Sequence, residues 1–479
     1  MKIMELNFLA FDFGSSSGRM ILGKYNGHKI VLEEIFRFYN GTKFINNHYY
    51  WDILKLYDQI IVGIKKANEI TGNNITSIGI DTCGVDYGLL DRNDNLMGYP
   101  YFYRDHRTDN LLNEIFNIIS KEEIYKETGI QFMQCNTLFQ LYSDLKFSPW
   151  ILENANSLLF IPDLLNFYLT GKKYNENTNA STSQFYNPIK EEWAFNLLKK
   201  LKLPLHILQD IIYPCNEIGD LLQNIKKECS IKGKLPVIAV GSHDTASAIA
   251  GTPLDNRKDS VYISCGSWSL LGMELISPII NQLSLKDNFT NEIGLEKTIR
   301  FLTNISGLWL LQQCKKIWDK QGLGVSFKKM SESAEKAKPG QFKININDDS
   351  FLNPPDAIEA INDYCRRTGQ DIPKNYPTIT RGIYEDLAKK YKLYVEKLEN
   401  IVGVKIKNIN IVGGGSQSET LCQFVANTTR KKVIAGPANA TAIGNIIAQL
   451  IAKGEIANLK EGREVIRKSF NLKQYECLI

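Results

Sequence analysis

The sequence predicts an α/β protein built as two related halves, each around a mixed β-sheet. Two observations carry this. An apolar strand, a Gly/Ser turn and a second apolar strand occur twice, as FLAFDFGSSSGRMILG from Phe8 and as SVYISCGSWSLLGMEL from Ser260. A helical stretch followed by a buried strand ending in glycine also occurs twice, first from Trp51 through ITSIGIDTCG and later from Tyr376 through KNINIVGGGS. A repeated unit of this size outranks local secondary-structure signals as evidence of fold. The boundary falls after LPVIAVGSHDTASAIAG, so the expected domains are residues 1–250 and 251–479.

In chain order, NFLAFDFG reads as a strand, and RMILGKYN and KIVLEEIFRF as two more, broken by Gly14–Gly18 and by Asn26-Gly27. Asn-Gly between alternating runs is a strong hairpin signal. From Trp51 to Ile70 the apolar positions Ile53, Tyr57, Ile60, Ile64 and Ala67 make a helical stripe. ITSIGIDTCG is a buried strand. In the second half, Tyr376–Glu399 is helical and ends before Gly403, and a strand, a glycine turn and an amphipathic helix follow. Residues 326–355, richer in Lys, Ser, Asn and Pro, read as an insertion with loops. KEGREVIRKSF near the C-terminus reads as a solvated helix face.

Composition narrows the function classes. With 43% hydrophobic and 23% charged residues over 479 positions the chain is an ordinary globular sequence, able to bury sizeable cores. Its net charge of +5 is too small to argue for nucleic acid or an anionic membrane. MKIMELNFLAFDFG lacks the character of a secretory leader, and no apolar run reaches the roughly 18 residues of a membrane span. Nine scattered cysteines, with no CxxC, read as reduced thiols in a cytoplasm. Five histidines with no HxxxH pair leave little material for a zinc site.

Four stretches carry chemistry. At the first, Asp12 ends a strand and is followed by Gly14, Ser15, Ser16, Ser17, Gly18 and Arg19; amides and hydroxyls of such a turn can approach a phosphate chain, with Asp12 facing it through a magnesium ion. A polar hairpin turn is the plainer reading. Asp12-Phe13-Gly14 is not the protein-kinase motif, because no glycine-rich loop or HRD precedes it, and no GxxxxGK[ST] phosphate loop occurs anywhere. The second stretch, Gly413-Gly414-Gly415-Ser416, lies between a strand and a helix and reads either as a nucleotide contact or as a glycine turn capped by Ser416. The third delivers Ser242-His243-Asp244-Thr245 from a buried strand to a helix start. Asp244 there is an N-cap or a general base that takes the proton of a hydroxyl attacking a γ-phosphoryl group. The fourth, Ser77–Asn110, crowds Asp81, Thr82, Asp86, Arg104, Asp105, Arg107 and Asp109, a density suited to polyol recognition or to surface salt-bridging.

These stretches resemble the FGGY carbohydrate kinases, which share the duplicated ribonuclease-H-like fold of actin, hexokinase and Hsp70. The resemblance rests on DFGSSSGR, IGIDTCGVDYGLLD with YRDHRTD, GSHDTASAIAGTP, YISCGSWSLLG, TNISGLWLLQQCKKIW and IVGGGSQSETLCQF, and so covers essentially the whole chain. It implies two such domains, with mixed five-stranded sheets, around a central cleft. It also implies ATP and Mg2+ as the requirements and a small ketose as the acceptor, with no nucleic acid or membrane partner and a monomeric or homodimeric state. Ser15, Ser16, Ser17, Gly18, Arg19, Ser267, Gln312 and Gly414 would contact ATP, with Asp12 helping to place the metal indirectly. Gly84, His243, Asp244, Thr245 and Asn304 would contact the sugar, Asp244 being the base. The more specific stretches are those of members that phosphorylate L-rhamnulose on its 1-hydroxyl. Another ketose such as L-fuculose or L-xylulose, or a non-enzymatic actin-like role, are the alternatives. Two positions depart from the family pattern: Cys83 stands where the family usually has Trp, and Ser267 where it tends to have Thr. Loss of the indole removes packing area and enlarges the pocket.

Overall fold

The computed structural model describes residues 5–15, 17–351 and 354–478. Its chain contacts divide it into two units. The first comprises Met1–Gly251, Leu275–Phe301 and Thr441–Ser469; the second comprises Thr252–Glu274, Leu302–Ala440 and Phe470–Ile479. Among the described residues no helix is long and apolar enough to cross a membrane, and all nine cysteines are free thiols.

The first unit is built on a six-stranded sheet from β1 (Leu6–Phe13), β2 (Ser17–Tyr25), β3 (Ile30–Tyr39), β4 (Ser77–Thr82), β5 (Asn216–Asp220) and β6 (Pro236–Ala239), in the order β5-β6-β4-β1-β2-β3. β1 pairs antiparallel with β2 and parallel with β4, and β6 runs parallel to β4. The Asn26-Gly27 hairpin forms as expected, with Gly27 at φ 87°. The predicted helix forms as α1 (Ile53–Thr71). Asp52 caps its first turn, and Gly72 ends it in the left-handed conformation at φ 62°. Its stripe of Ile53, Leu56, Ile60, Ile64 and Ala67 is buried on the Phe11/Met20 side of the sheet. A Cβ at Gly63 would lie 2.4 Å from the Met20 sulfur, so glycine sets how closely this helix lies on the strands.

The opposite face is covered by α7 (Ala440–Ala452), which packs on Gly23 and Gly79; side chains there alternate with those facing α1. Another helix, α3 (Asp244–Ala250), follows directly from β6. Between α1 and α3 lies α2 (Thr137–Phe147).

The second sheet has the order β9-β10-β8-β7-β11-β12-β13. Its strands are β7 (Ser260–Cys265), β8 (Trp268–Leu275), β9 (Thr290–Ile293), β10 (Ile299–Ser306), β11 (Asn408–Val412), β12 (Lys432–Ala435) and β13 (Lys473–Tyr475). β7 is antiparallel to β8 and parallel to β11, and β11 is parallel to β12. The set β10-β8-β7-β11-β12 therefore repeats the neighbour order of β3-β2-β1-β4-β6, the duplication read from the sequence. Each sheet exceeds the expected five strands. β5 adds one antiparallel edge to the first, bulged between Glu217 and Gly219, and β9 and β13 add two to the second. Such short edge strands, with little apolar alternation, leave a weak signal in sequence.

Further helices of the second unit include α4 (Trp309–Lys320), α5 (Tyr376–Val402) and α6 (Glu419–Thr429). α5 ends at Gly403, φ 76°, where the sequence placed its stop. The insertion read over residues 326–355 opens with a helix, Phe327–Lys336, before its loops.

Candidate active site

The site is assembled where β1, β4 and β6 end. Parallel pairing sets Asp12 beside Asp81, and the β1–β2 hairpin sets Asp12 across from Arg19. Arg19 answers with two hydrogen bonds to Asp12 Oδ2, from Nε at 2.8 Å and from a terminal nitrogen at 2.6 Å. Asp81 Oδ2 accepts from Asn445 of α7 at 2.6 Å, while its enclosed Oδ1 has no hydrogen-bond partner among the described residues. Burial, followed by the neighbouring Asp12, pushes the Asp81 carboxyl well above the ordinary range.

Next to this pair, the end of β4 is tied to the turn that starts α3. Thr82 N donates to Ser242 O at 2.9 Å, and Thr82 bridges His243. From behind, the buried Glu176 carboxylate accepts from Ser242 N at 3.1 Å and from Ser242 Oγ at 2.7 Å. His243 is the N-cap residue but caps nothing with its side chain, and Asp244 is the first helical residue. The bland N-cap reading of Asp244 is therefore set aside. Its Oδ1 accepts from Thr245 Oγ1 at 3.2 Å and lies 3.5 Å from His243 Nε2. The surrounding protein pushes its carboxyl up; His243 pulls it down and Asp12 adds to the rise. Gly84 closes this corner: a Cβ there would sit 3.2 Å from both the His243 ring and Thr182 Oγ1. The Cys83 thiol, between Thr82 and Gly84, is pushed far up by burial and then by Asp244, Asp86 and Asp12.

Other predicted residues belong to the second unit. Ser267, in the β7–β8 turn, donates to Gln312 Oε1 of α4 at 2.8 Å, and its carbonyl accepts from Gly307 N at 3.0 Å. In the glycine cluster, Gly413 has φ 78° and approaches the Cys265 carbonyl. A Cβ at Gly415 would fall 2.2 Å from the Cys265 sulfur, whereas one at Gly414 would meet nothing within 4 Å. Packing thus explains Gly413 and Gly415 and leaves the face of Gly414 open. Ser416 does not cap α6: its Oγ donates to Gly413 O at 2.7 Å, and Ser418 is the N-cap. Asn304 lies on β10. The ATP candidates Ser15, Ser17, Gly18 and Arg19 fall in the first unit, and Ser267, Gln312 and Gly414 in the second; Ser16 lies outside the described residues.

Within the RDHRTD stretch, Asp105 and Arg107 are held by structural contacts. Asp105 accepts from Tyr49 N at 2.7 Å and from Arg107 N at 2.9 Å. Arg107 pairs with Asp144 at 2.5 Å of α2, bonds Gln140 at 2.8 Å and lies 4.0 Å from the Tyr101 ring. The His106–Asp109 contact, between exposed side chains, fits the surface salt-bridging reading. Sequence reasoning missed Glu176, Glu292, Arg300 and Asn445, all buried around the Asp12–Asp81–Asp244 corner. The available signal was a charged residue breaking an apolar strand, as in TNEIGLEKTIRFL.

Comparison with known proteins bears on the family and the fold. Residues 7–251 match the N-terminal domain of the FGGY family of carbohydrate kinases and residues 261–453 match its C-terminal domain. A rhamnulokinase of Oceanobacillus iheyensis is 41% identical over 469 residues, covering 98% of this chain and 97% of its own. One from Bacteroides thetaiotaomicron is 41% identical over 472 residues, at 98% and 96% coverage. Among solved structures, gluconate kinase from Lactobacillus acidophilus superposes with a TM-score of 0.79 at 17% identity over 99% of this chain and 94% of its own. Plasmodium falciparum glycerol kinase with ADP gives 0.79 at 16% identity, with the same coverage. Two family domains matched in order over nearly the whole length leave one assignment: the chain belongs to the FGGY family of carbohydrate kinases.

Proposed function

We propose that this protein transfers the γ-phosphoryl group of ATP to the 1-hydroxyl of L-rhamnulose, giving L-rhamnulose 1-phosphate and ADP. The substrate reading is supported by the rhamnulokinases that share about two residues in five with it end to end. The chemical reading rests on one observation: a carboxylate at the first position of α3, 29% exposed and not consumed by helix capping.

In this mechanism Asp244 accepts the proton of the C1 hydroxyl as that oxygen bonds to the γ-phosphorus. The bond from phosphorus to the β–γ bridging oxygen breaks, and ADP leaves with the electron pair. Gly84, His243, Thr245 and Asn304 orient the ketose. Ser15, Ser16, Ser17, Gly18 and Arg19, with Ser267, Gln312 and Gly414, hold the nucleotide. We assign the sugar mainly to the N-terminal domain and the nucleotide mainly to the C-terminal one.

The acidic corner suits a divalent cation. Asp81 keeps a buried oxygen without a hydrogen-bond partner among the described residues, and Asp81 and Asp244 are both pushed up in part by Asp12. Among the described residues no three His, Cys, Asp or Glu side chains converge as a cage. That fits Mg2+, which keeps several waters and takes one or two carboxylates plus substrate phosphates. Asp12 would hold it through water, and the bound ion would neutralise charge on the phosphoryl oxygens.

A panel of ketoses in a coupled ADP-release assay tests the reading, with L-rhamnulose expected to give the highest kcat/KM. A preference for L-fuculose or L-xylulose would overturn the substrate assignment. Asp244→Asn should fold normally and lose about 10²–10⁴-fold in turnover; near-parental turnover would remove Asp244 from the mechanism.

A further inference from the structure

Behind His243 lies a buried ion pair that the mechanism above does not use. Arg300, on β10, is fully enclosed, and Glu292, on β9, nearly so at 5% exposure. Both lie in the first unit with His243. Arg300 Nε donates to Ile293 O at 3.0 Å, and one terminal nitrogen donates to Thr178 O at 3.4 Å. The other terminal nitrogen lies 2.9 Å from Glu292 Oε2. Both terminal nitrogens are 3.3 Å from His243 Nδ1. Glu292 Oε2 stands 3.4 Å from the same ring nitrogen.

We propose that Arg300 and Glu292 are positioning residues for Asp244, acting through the tautomer of His243. This rests on the reading of Asp244 as the base. A guanidinium has donors and no acceptor, so Nδ1 facing two of its N–H groups presents a lone pair. The ring proton then sits on Nε2, the nitrogen directed at Asp244 Oδ1 at 3.5 Å. The competing arrangement, with Nδ1–H donating to Glu292, would turn an Nε2 lone pair toward a carboxylate. It is disfavoured because that lone pair would face the Asp244 carboxylate, and because both terminal nitrogens of Arg300 would then direct their N–H groups at a protonated Nδ1.

The consequence is orientational. Thr245 Oγ1 and His243 Nε2 both address Oδ1 of Asp244. They fix the carboxylate plane and leave Oδ2 to take the proton of the sugar hydroxyl. Contacts of 3.3–3.5 Å are long for hydrogen bonds, as catalytic contacts often are before substrate binds and tightens them. Glu292 keeps the enclosed guanidinium neutralised, which a buried cation requires.

The test reads the tautomer and the kinetics separately. Nitrogen-15 spectra of the full-length protein report which ring nitrogen of each of the five histidines carries the proton, and the signals lost in His243→Gln identify residue 243. The expected result is an Nε2-protonated, Nδ1-unprotonated ring; a proton on Nδ1 overturns the proposal. The double variant Arg300→Met with Glu292→Met removes the pair without stranding a charge. It should lose the single tautomer and about 10–100-fold in kcat while leaving KM for ATP nearly unchanged. A folded double variant with parental kcat overturns the proposal. Should that variant fail to fold, His243→Gln and His243→Asn decide the kinetic side. The Gln amide reaches the Nε2 position and should retain more turnover than the Asn amide, which reaches Nδ1; equal losses or the reverse order count against the relay. The base assignment fails separately, through an active Asp244→Asn with the His243 tautomer as expected.

Discussion

The helix that carries Asp244 is held by a backbone contact that a single methyl group would break. Gly444 of α7 faces α3 so closely that a Cβ there would lie 1.8 Å from the Ser247 carbonyl oxygen and 2.8 Å from Gly251 N. Ordinary contact begins near 3.4 Å, so Gly444→Ala demands about 1.6 Å of separation, the difference between 3.4 and 1.8. Both neighbours are main-chain atoms, and no rotamer change relieves the clash. Ala is favoured over Gly within a helix by about 0.8–1 kcal/mol, whereas overpacking of a tight core costs about 1–3 kcal/mol or more. The clash wins because α7 is also anchored by Asn445 to Asp81 and by Gln449 to Leu9 O at 3.0 Å. α3 must therefore move, taking Asp244 with it, and a shift near 1 Å is worth about 10²-fold in turnover. Thermal unfolding and steady-state ADP release should both fall, kcat by about that factor. A variant with a Tm within about 1 °C and a kcat within about twofold of the parent would refute the claim that this contact positions α3.

The remaining predictions concern charge. Asp12→Asn should raise the Mg2+ concentration needed for half-maximal activity by about 10–100-fold, as for loss of an outer-sphere metal partner, and a magnesium titration of the ADP-release rate reads it. Asp86 accepts from Trp51 Nε1 at 2.7 Å, from Tyr103 N at 2.9 Å and from Gln140 at 2.9 Å, yet burial raises its carboxyl from 3.8 to about 7. Between those values the folded state binds the proton and the unfolded state does not, so stability falls as pH rises across that window, by up to about 1.4 kcal/mol per pH unit. Asp86→Asn should flatten this dependence in denaturant midpoints measured from pH 5 to 7; an unchanged slope would show that Asp86 is ionised throughout.

How far the sequence revealed the fold depends on which signals were local. The Asn26-Gly27 turn, the stripe of α1 and the Gly403 stop of α5 were legible because each is set by a few neighbouring residues. The repeat was legible because the same strand-turn-strand pattern recurs. The return of residues 441–469 to the first unit was not legible, since ATAIGNIIAQLIA carries no mark of what it packs against. Gly23, Gly79 and Gly444 make sense only once α7 is laid on the sheet and on α3. The RDHRTD charges misled for a related reason. Arg107 and Asp105 look like surface residues by composition, and only the tertiary placement of Asp144, Gln140 and Tyr49 buries them.

The same limit applies inside the site, where three identical side chains take different parts. As letters, Asp12, Asp81 and Asp244 each follow or end an apolar strand, with a glycine or threonine one or two residues on. Their surroundings separate them. Asp12 carries the Arg19 guanidinium and remains the natural partner for further positive charge. Asp81, fully enclosed and pressed by both other carboxylates, is pushed well above the ordinary range, with the Asn445 hydrogen bond and then the more distant Arg19 charge opposing the rise. Asp244 is raised less, stands partly exposed and has His243 to favour its charge. The partial exposure of Asp244 and its contact with His243 support the proposal that it is the group accepting the proton. What distinguishes the three carboxyl groups is thus which side chains the fold sets against each, and no spacing of residues along the chain encodes that.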